Sequence, residues 1–150
     1  MKALIVYDSV YGNTEKIARS IGDAIGGDVK VHRTSEVCPS DLESIDLLVV
    51  GSPTYAGRTT PAMQDFLKHT VTGSSLKDVS VAAFDTRLTA NWVKIFGFAS
   101  GKMARSLKAN GGTLVLSPVG FFVHSAKGPL KEGEPERAAA WAKEIVKSKK

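Results

Sequence analysis

The sequence predicts an α/β fold: a doubly wound, five-stranded parallel sheet in the order 2-1-3-4-5, with helices on both faces. Three observations carry that expectation. Apolar runs of strand length alternate five times with segments of helical period. Three of the runs are continuously apolar, as strands buried on both faces are. With 150 residues, 43% of them hydrophobic, the chain has material for one substantial core and no second domain of ordinary size, so residues 1–150 are read as a single domain.

The strands expected are ALIVY (3–7), VKVHR (29–33), LLVVGS (47–52), VSVAAF (79–84) and GTLVLS (112–117). The first helix carries Ile17, Ile21, Ala24 and Ile25 on one stripe and stops at Gly26-Gly27. A very short element is expected near CPSDLES. Thr60 caps the next helix, with Pro61 at its first position and Met63, Phe66, Leu67 and Thr70 facing inward. Met103, Ala104 and Leu107 stripe the fourth, which ends at Asn110-Gly111. The last runs from about Pro135 with Ala138, Trp141, Ala142 and Ile145 inward, acidic Glu134 and Glu136 in its first turn and lysines in its last.

Composition narrows the function classes. Cys38 is the single cysteine, so neither an internal disulfide nor a cysteine zinc site can be assembled, and it reads as a structural or incidental thiol. His32, His69 and His124 show no metal-ligand spacing. No stretch approaches the ~18 apolar residues of a membrane span, and the apolar run at the N-terminus is short for a signal peptide; a soluble, cytoplasmic protein is expected. The net charge of +5 owes much to the tail KEIVKSKK, which reads as a helix C-terminus rather than a nucleic-acid site.

In such a sheet, ligands sit beyond the carboxyl ends of the strands, near the switch point between strands 1 and 3. The loops to inspect are therefore 8–14, 51–60 and 85–100. The first offers Ser9, Tyr11, Asn13 and Thr14 with Gly12, opening into a helix whose free N–H groups favour an anion. A phosphate fits it without Lys or Arg, because oriented N–H groups and hydroxyls suffice; a helix cap with an ordinary turn accounts for the same residues. Other tenants of this architecture fail at these positions. There is no Gly-Lys-Ser/Thr loop, no Gly-x-Gly-x-x-Gly after the first strand, and no acidic cluster of a phosphorelay receiver. The second loop carries Tyr55 and Ala56-Gly57, and the third is unusually aromatic, with Trp92 and then Phe96 as candidates to stack on a ring system.

DSVYGNTEKIA, followed some forty residues later by GSPTYAGRTTPAMQDFL, resembles the FMN-binding signature of the flavodoxin-like family, over essentially the whole chain. Against the pattern Ser/Thr-x-Thr-Gly-x-Thr, Ser9, Gly12, Asn13 and Thr14 fit and Tyr11 replaces a threonine. A free-standing short-chain flavodoxin is the nearest pattern, with loops similar also to the flavodoxin domain of flavo-diiron proteins and to FMN-dependent NAD(P)H:quinone reductases. The resemblance implies FMN as cofactor, its phosphate at Ser9, Val10, Tyr11, Gly12, Asn13 and Thr14. It further implies a ring between the second loop (Pro53, Thr54, Tyr55, Ala56, Gly57) and the third (Asp85, Thr86, Arg87, Trp92), and a carbonyl of Ala56 or Gly57 turned to the flavin N5-H. The cofactor would carry the redox chemistry.

The function implied is that of an electron carrier between a reductase and an acceptor, monomeric or weakly self-associating, with no nucleic-acid or membrane partner. The alternatives are an FMN-dependent NAD(P)H:quinone reductase and a binding domain without flavin. Arg58 and Arg87 depart from the acidic surroundings usual in the family. Cations there favour the reduced anion, so a less negative second potential and acidic partner surfaces are expected.

Overall fold

In the computed structural model, which describes residues 1–54, 58–72, 74–88 and 98–149, β1 (Lys2–Tyr7) pairs in parallel with β2 (Asp28–Arg33) on one side and β3 (Leu47–Pro53) on the other. Next to β3 lies β4 (Ser80–Arg87), and beyond it β5 (Thr113–Leu114), giving the order β2-β1-β3-β4-β5 that the alternation predicts. A further strand, β6 (Val119–Phe122), also pairs with β4 in parallel.

Successive residues of the central strands point to opposite faces, so each strand feeds two cores. Leu4, Val6, Leu48, Val50, Val81 and Ala83 pack under α2 (Pro61–Asp65), its π-helical continuation (Phe66–Val71) and α3 (Ala99–Ala109). Ala3, Ile5, Tyr7, Leu47, Val49, Ala82 and Phe84 pack under α1 (Asn13–Ile25) and α4 (Glu134–Ser148). Burial on both faces is why these strands read as unbroken apolar runs. The expected stripes are found: Ile17 and Ile21, Met63 and Phe66, Met103 and Leu107, and Ala138, Ala142 and Ile145 are all buried. Thr60 caps α2, its hydroxyl accepting from Met63 N at 3.3 Å. The short element near CPSDLES is a single 3-10 turn, Pro39–Leu42.

Two expectations need correction. The fifth strand is not one run over 112–117: between the pairs Val81↔Leu114 and Phe84↔Val119, β4 advances by three residues and the edge by five. Pro118 has no N–H to offer a ladder, so the edge strand bulges there and resumes as β6. In turn β6 prolongs its neighbour: β4 runs to Arg87 rather than ending at Phe84, with Asp85, Thr86 and Arg87 opposite Gly120, Phe121 and Phe122. After β6 the chain doubles back in a hairpin, Val123 bridging Leu130, before α4 begins. Glu134 ties that helix to the sheet, its carboxylate accepting from Phe122 N at 2.7 Å and from Arg137 Nη2 at 2.6 Å.

Candidate functional site

The carboxyl ends of β1, β3 and β4 lie side by side, so the three loops singled out in the sequence leave the sheet at one edge. The first is a tight turn. Gly12, at φ 92°, takes the left-handed conformation that side chains resist, and its N–H donates to Ser9 Oγ at 3.0 Å. This places α1 with Gly12 as N-cap, and among the described residues no side-chain hydrogen bond caps its first turn. A simple side-chain cap is therefore not what Ser9, Asn13 and Thr14 supply; the helix N-terminus keeps its donors and the positive end of its dipole for something else.

Ser9, Asn13 and Thr14 are buried around that terminus, while Val10 and Tyr11 stand about half exposed, at 54% and 49%. Tyr11, where the family pattern has threonine, thus points its ring outward as a flank and not into the turn. Thr14 Oγ1 lies 2.8 Å from Thr86 Oγ1, a bond that joins the first loop to the end of β4. Two hydroxyls share that contact, and only one of their protons is needed to close it. The other is left to donate.

Arg33 and Gly128, from other elements, complete the turn. The guanidinium of Arg33, at the end of β2 and paired in register with Tyr7, donates from Nη1 to the Ser9 carbonyl at 2.8 Å. It also lies 3.3 Å from Glu15 and 3.7 Å from Asp8. A loop without its own Lys or Arg therefore has a cation fixed under it. Glu15 is held below the usual carboxylate range, chiefly by its hydrogen bond from Arg19, and burial pushes the Tyr7 phenol up. From the hairpin after β6, Gly128 reaches the same loop so closely that a methyl on it would come within 2.6 Å of Asn13 Oδ1.

At the second loop Pro53 and Thr54 lie half-buried where β3 ends. Ser52 Oγ accepts from Thr60 N at 3.2 Å and closes the base of the loop. Thr54 crosses to the third loop, its N–H donating to the Thr86 carbonyl at 2.9 Å and its Oγ1 accepting from Ala99 N at 3.1 Å. Tyr55, Ala56 and Gly57 lie outside the described residues, as do Trp92 and Phe96.

The third loop is anchored by a buried ion pair. Asp85, fully buried, accepts from Arg87 Nε at 2.6 Å, from Arg87 Nη2 at 2.7 Å and from Ser100 N at 3.0 Å. Arg87 also stacks on the Phe98 ring, 3.4 Å from its centroid. The charge of Arg87 is thus compensated on the spot, and Arg58, exposed and without an ion pair among the described residues, is the uncompensated cation of the second loop. Arg33, Ser52 and Ser100 escape sequence reading because their roles depend on strand register and on contacts across loops.

Comparison with known proteins agrees with this geometry. A flavodoxin-domain family model matches residues 4–124. An uncharacterized protein of Methanocaldococcus jannaschii is 40% identical over 68 residues, a match that spans 45% of this chain and 44% of that protein. Flavodoxin 1 of Escherichia coli K12 is 30% identical over 128 residues, covering 83% of this chain and 72% of the relative. Among solved structures, an archaeal flavodoxin superposes over 100% of both chains with a TM-score of 0.82 at 24% identity, a likeness of fold. FMN is the cofactor of that family, and an uncapped helix end ringed by buried hydroxyls fits its phosphate. The family model spanning residues 4–124 and the E. coli relative together establish that this chain belongs to the flavodoxin family.

Proposed function

We propose that this chain is a flavodoxin-type electron carrier that holds FMN by its phosphate at the N-terminus of α1. The observation that carries this reading is the juxtaposition of free first-turn N–H groups with the buried hydroxyls of Ser9, Thr14 and Thr86. The N–H groups donate to the phosphate oxygens, and the spare proton of the Thr14–Thr86 pair adds a side-chain donor. Arg33 steadies the turn from below through the Ser9 carbonyl, its charge matched by Glu15 and Asp8. Once bound, FMN supplies the one- and two-electron redox chemistry.

On the family pattern the ring system is assigned to residues 53–57, 85–87 and Trp92, and its exposed edge is where a reductase and an acceptor would meet it. With a net charge of +5 and Arg58 uncompensated on that side, acidic partner surfaces are favoured. The setting expected is the cytoplasm; among the described residues no helix is long and apolar enough to cross a membrane.

Titration of purified chain, stripped of any flavin, with FMN and with riboflavin tests the reading. FMN should bind and riboflavin should bind weaker by roughly 100-fold or more, since the charge-assisted hydrogen bonds from the first-turn N–H groups and from the Thr14–Thr86 pair are lost with the phosphate. Equal affinity for the two, or none for either, overturns it. NAD(P)H oxidation by the loaded protein with a quinone should be negligible for a carrier without its reductase; rapid turnover would move the assignment to a quinone reductase.

A further inference from the structure

Three cations converge on a cleft in which the phosphate site has no part. The cleft, about 400 Å³, follows the groove between α2 with its π-helical continuation and α3. Arg58, Lys68 and Lys102 line it, Gln64 adds an amide, and Leu67 and Met103 form an apolar floor. Among the described residues no carboxylate lines it. The ion pairs of the described residues engage Arg19, Arg33, Arg87 and Arg137 and none of these three. Arg87, by contrast, is matched by Asp85; here like charges gather round a concavity, which focuses positive potential into it.

The floor is fixed rather than soft. The π-helical segment Phe66–Val71 widens the helix at Leu67 and Lys68, and Thr72 Oγ1 donates to the Leu67 carbonyl at 3.0 Å, pinning the end of the wider turn. Such widened turns recur at functional sites. Met103 is fully buried and Leu67 is 8% exposed, so both are set by the core behind them.

We propose that this cleft binds a small organic carboxylate with an apolar, ring-bearing body. The body would rest on the edge of Leu67 and the alkyl stems of Lys68 and Lys102, with Met103 packed behind them, and the carboxylates would meet the charged ends of Lys68, Lys102 and Arg58. The size falls within the ~300–1,000 Å³ of small-molecule pockets, whereas a protein partner needs a broad surface of about 800 Å² on each side. The cleft begins at Arg58, within the second loop, and shares no residue with the phosphate turn.

The test is a titration of the full, isotopically labelled chain, saturated with FMN, with naphthalene-2,6-dicarboxylate, read from backbone amide shifts. Saturable shifts should centre on residues 64–68 and 102–106. The neutral diol of the same ring should bind at least tenfold weaker, and K68Q/K102Q, at two exposed positions, should weaken the dicarboxylate by about tenfold while leaving FMN affinity unchanged. Absence of saturable shifts, equal binding of the diol, undiminished binding to the double variant, or shifts centred on residues 9–14 would each overturn the proposal. If the chain takes up no FMN, the same titration on the chain as purified keeps the two readings separate.

Discussion

Asp85 and Arg87, two residues apart on β4, project to the same side of the strand and form a two-pronged ion pair that closes the base of the third loop. Gly120 on β6 faces the pair, and a methyl group there would run into the Arg87 guanidinium. The guanidinium is held between Gly120 and the Phe98 ring, so the bulge that creates β6 also builds the seat for Arg87. Removing the acid leaves a mostly buried cation unpaired, a change that costs about 3 kcal/mol or more. Asp85→Ala should lower unfolding free energy by that amount in urea. Gly120→Ala should cost about 1–3 kcal/mol by overpacking, and most of that cost should vanish in an Arg87→Met background. Additive losses would mean that Gly120 and Arg87 do not share one contact.

The hydroxyl pair of Thr14 and Thr86 makes a sharper statement about the ligand than about stability. Replacing both, Thr14→Val with Thr86→Val, keeps the shape and removes the donor, which either hydroxyl alone could still supply. FMN affinity should fall by about tenfold, the worth of one charge-assisted hydrogen bond, while riboflavin affinity stays where it was. A parallel loss for both ligands would place the effect on the ring and not on the phosphate.

Arg58 and Arg87 are equivalent in the sequence, each a cation in a loop expected at the flavin, and the structure separates them. Arg87 is matched by a buried carboxylate. Arg58 is not among the residues with an ion pair. If only uncompensated charge reaches the cofactor, Arg58→Gln should make the second reduction potential more negative by about 30 mV, half the ~59 mV that a tenfold change represents for one electron. The spectroscopic titration that measures it should also be done in high salt, where the difference between wild type and variant should shrink. An unchanged potential at low salt would remove Arg58 from the electrostatics of the site.

The frame of the molecule was legible because burial leaves a period in the chain. β1, β3 and β4 are covered on both faces and so are continuously apolar, and Thr60-Pro61 and Gly26-Gly27 punctuate helices by local chemistry alone. The turn of the first loop was legible because it is local: Ser9, Gly12 and Thr14 lie within six residues of one another. What stayed hidden depends on register and on distance along the chain. Arg33 reaches Ser9 only because β2 lies beside β1 with Arg33 opposite Tyr7. Thr14 and Thr86 are 72 residues apart. The segment VGFF after Pro118 has no period long enough to read, and it becomes a strand because the edge of β4 is open to it.

Glu134 reads in the sequence as one of two acids placed to suit a helix dipole, but its carboxylate is buried and bonded to both Phe122 N and Arg137. Hydrogen bonding from Arg137 is the main reason that it stays ionised below the usual carboxylate range, and the Phe122 amide adds to the effect against the opposing cost of burial. The sign follows from the lowered value. Stability from this group is complete above the unfolded carboxylate value, near 4.5, and drains away as pH falls through the lower folded value. Denaturant unfolding between pH 6 and pH 3 should therefore show a steeper loss for the wild-type chain than for Glu134→Gln. At pH 6 the variant should be less stable by about 2 kcal/mol, the worth of hydrogen bonds to a charged group, and the two curves should converge toward pH 3. Parallel curves would show that the acid limb of stability belongs to other carboxylates.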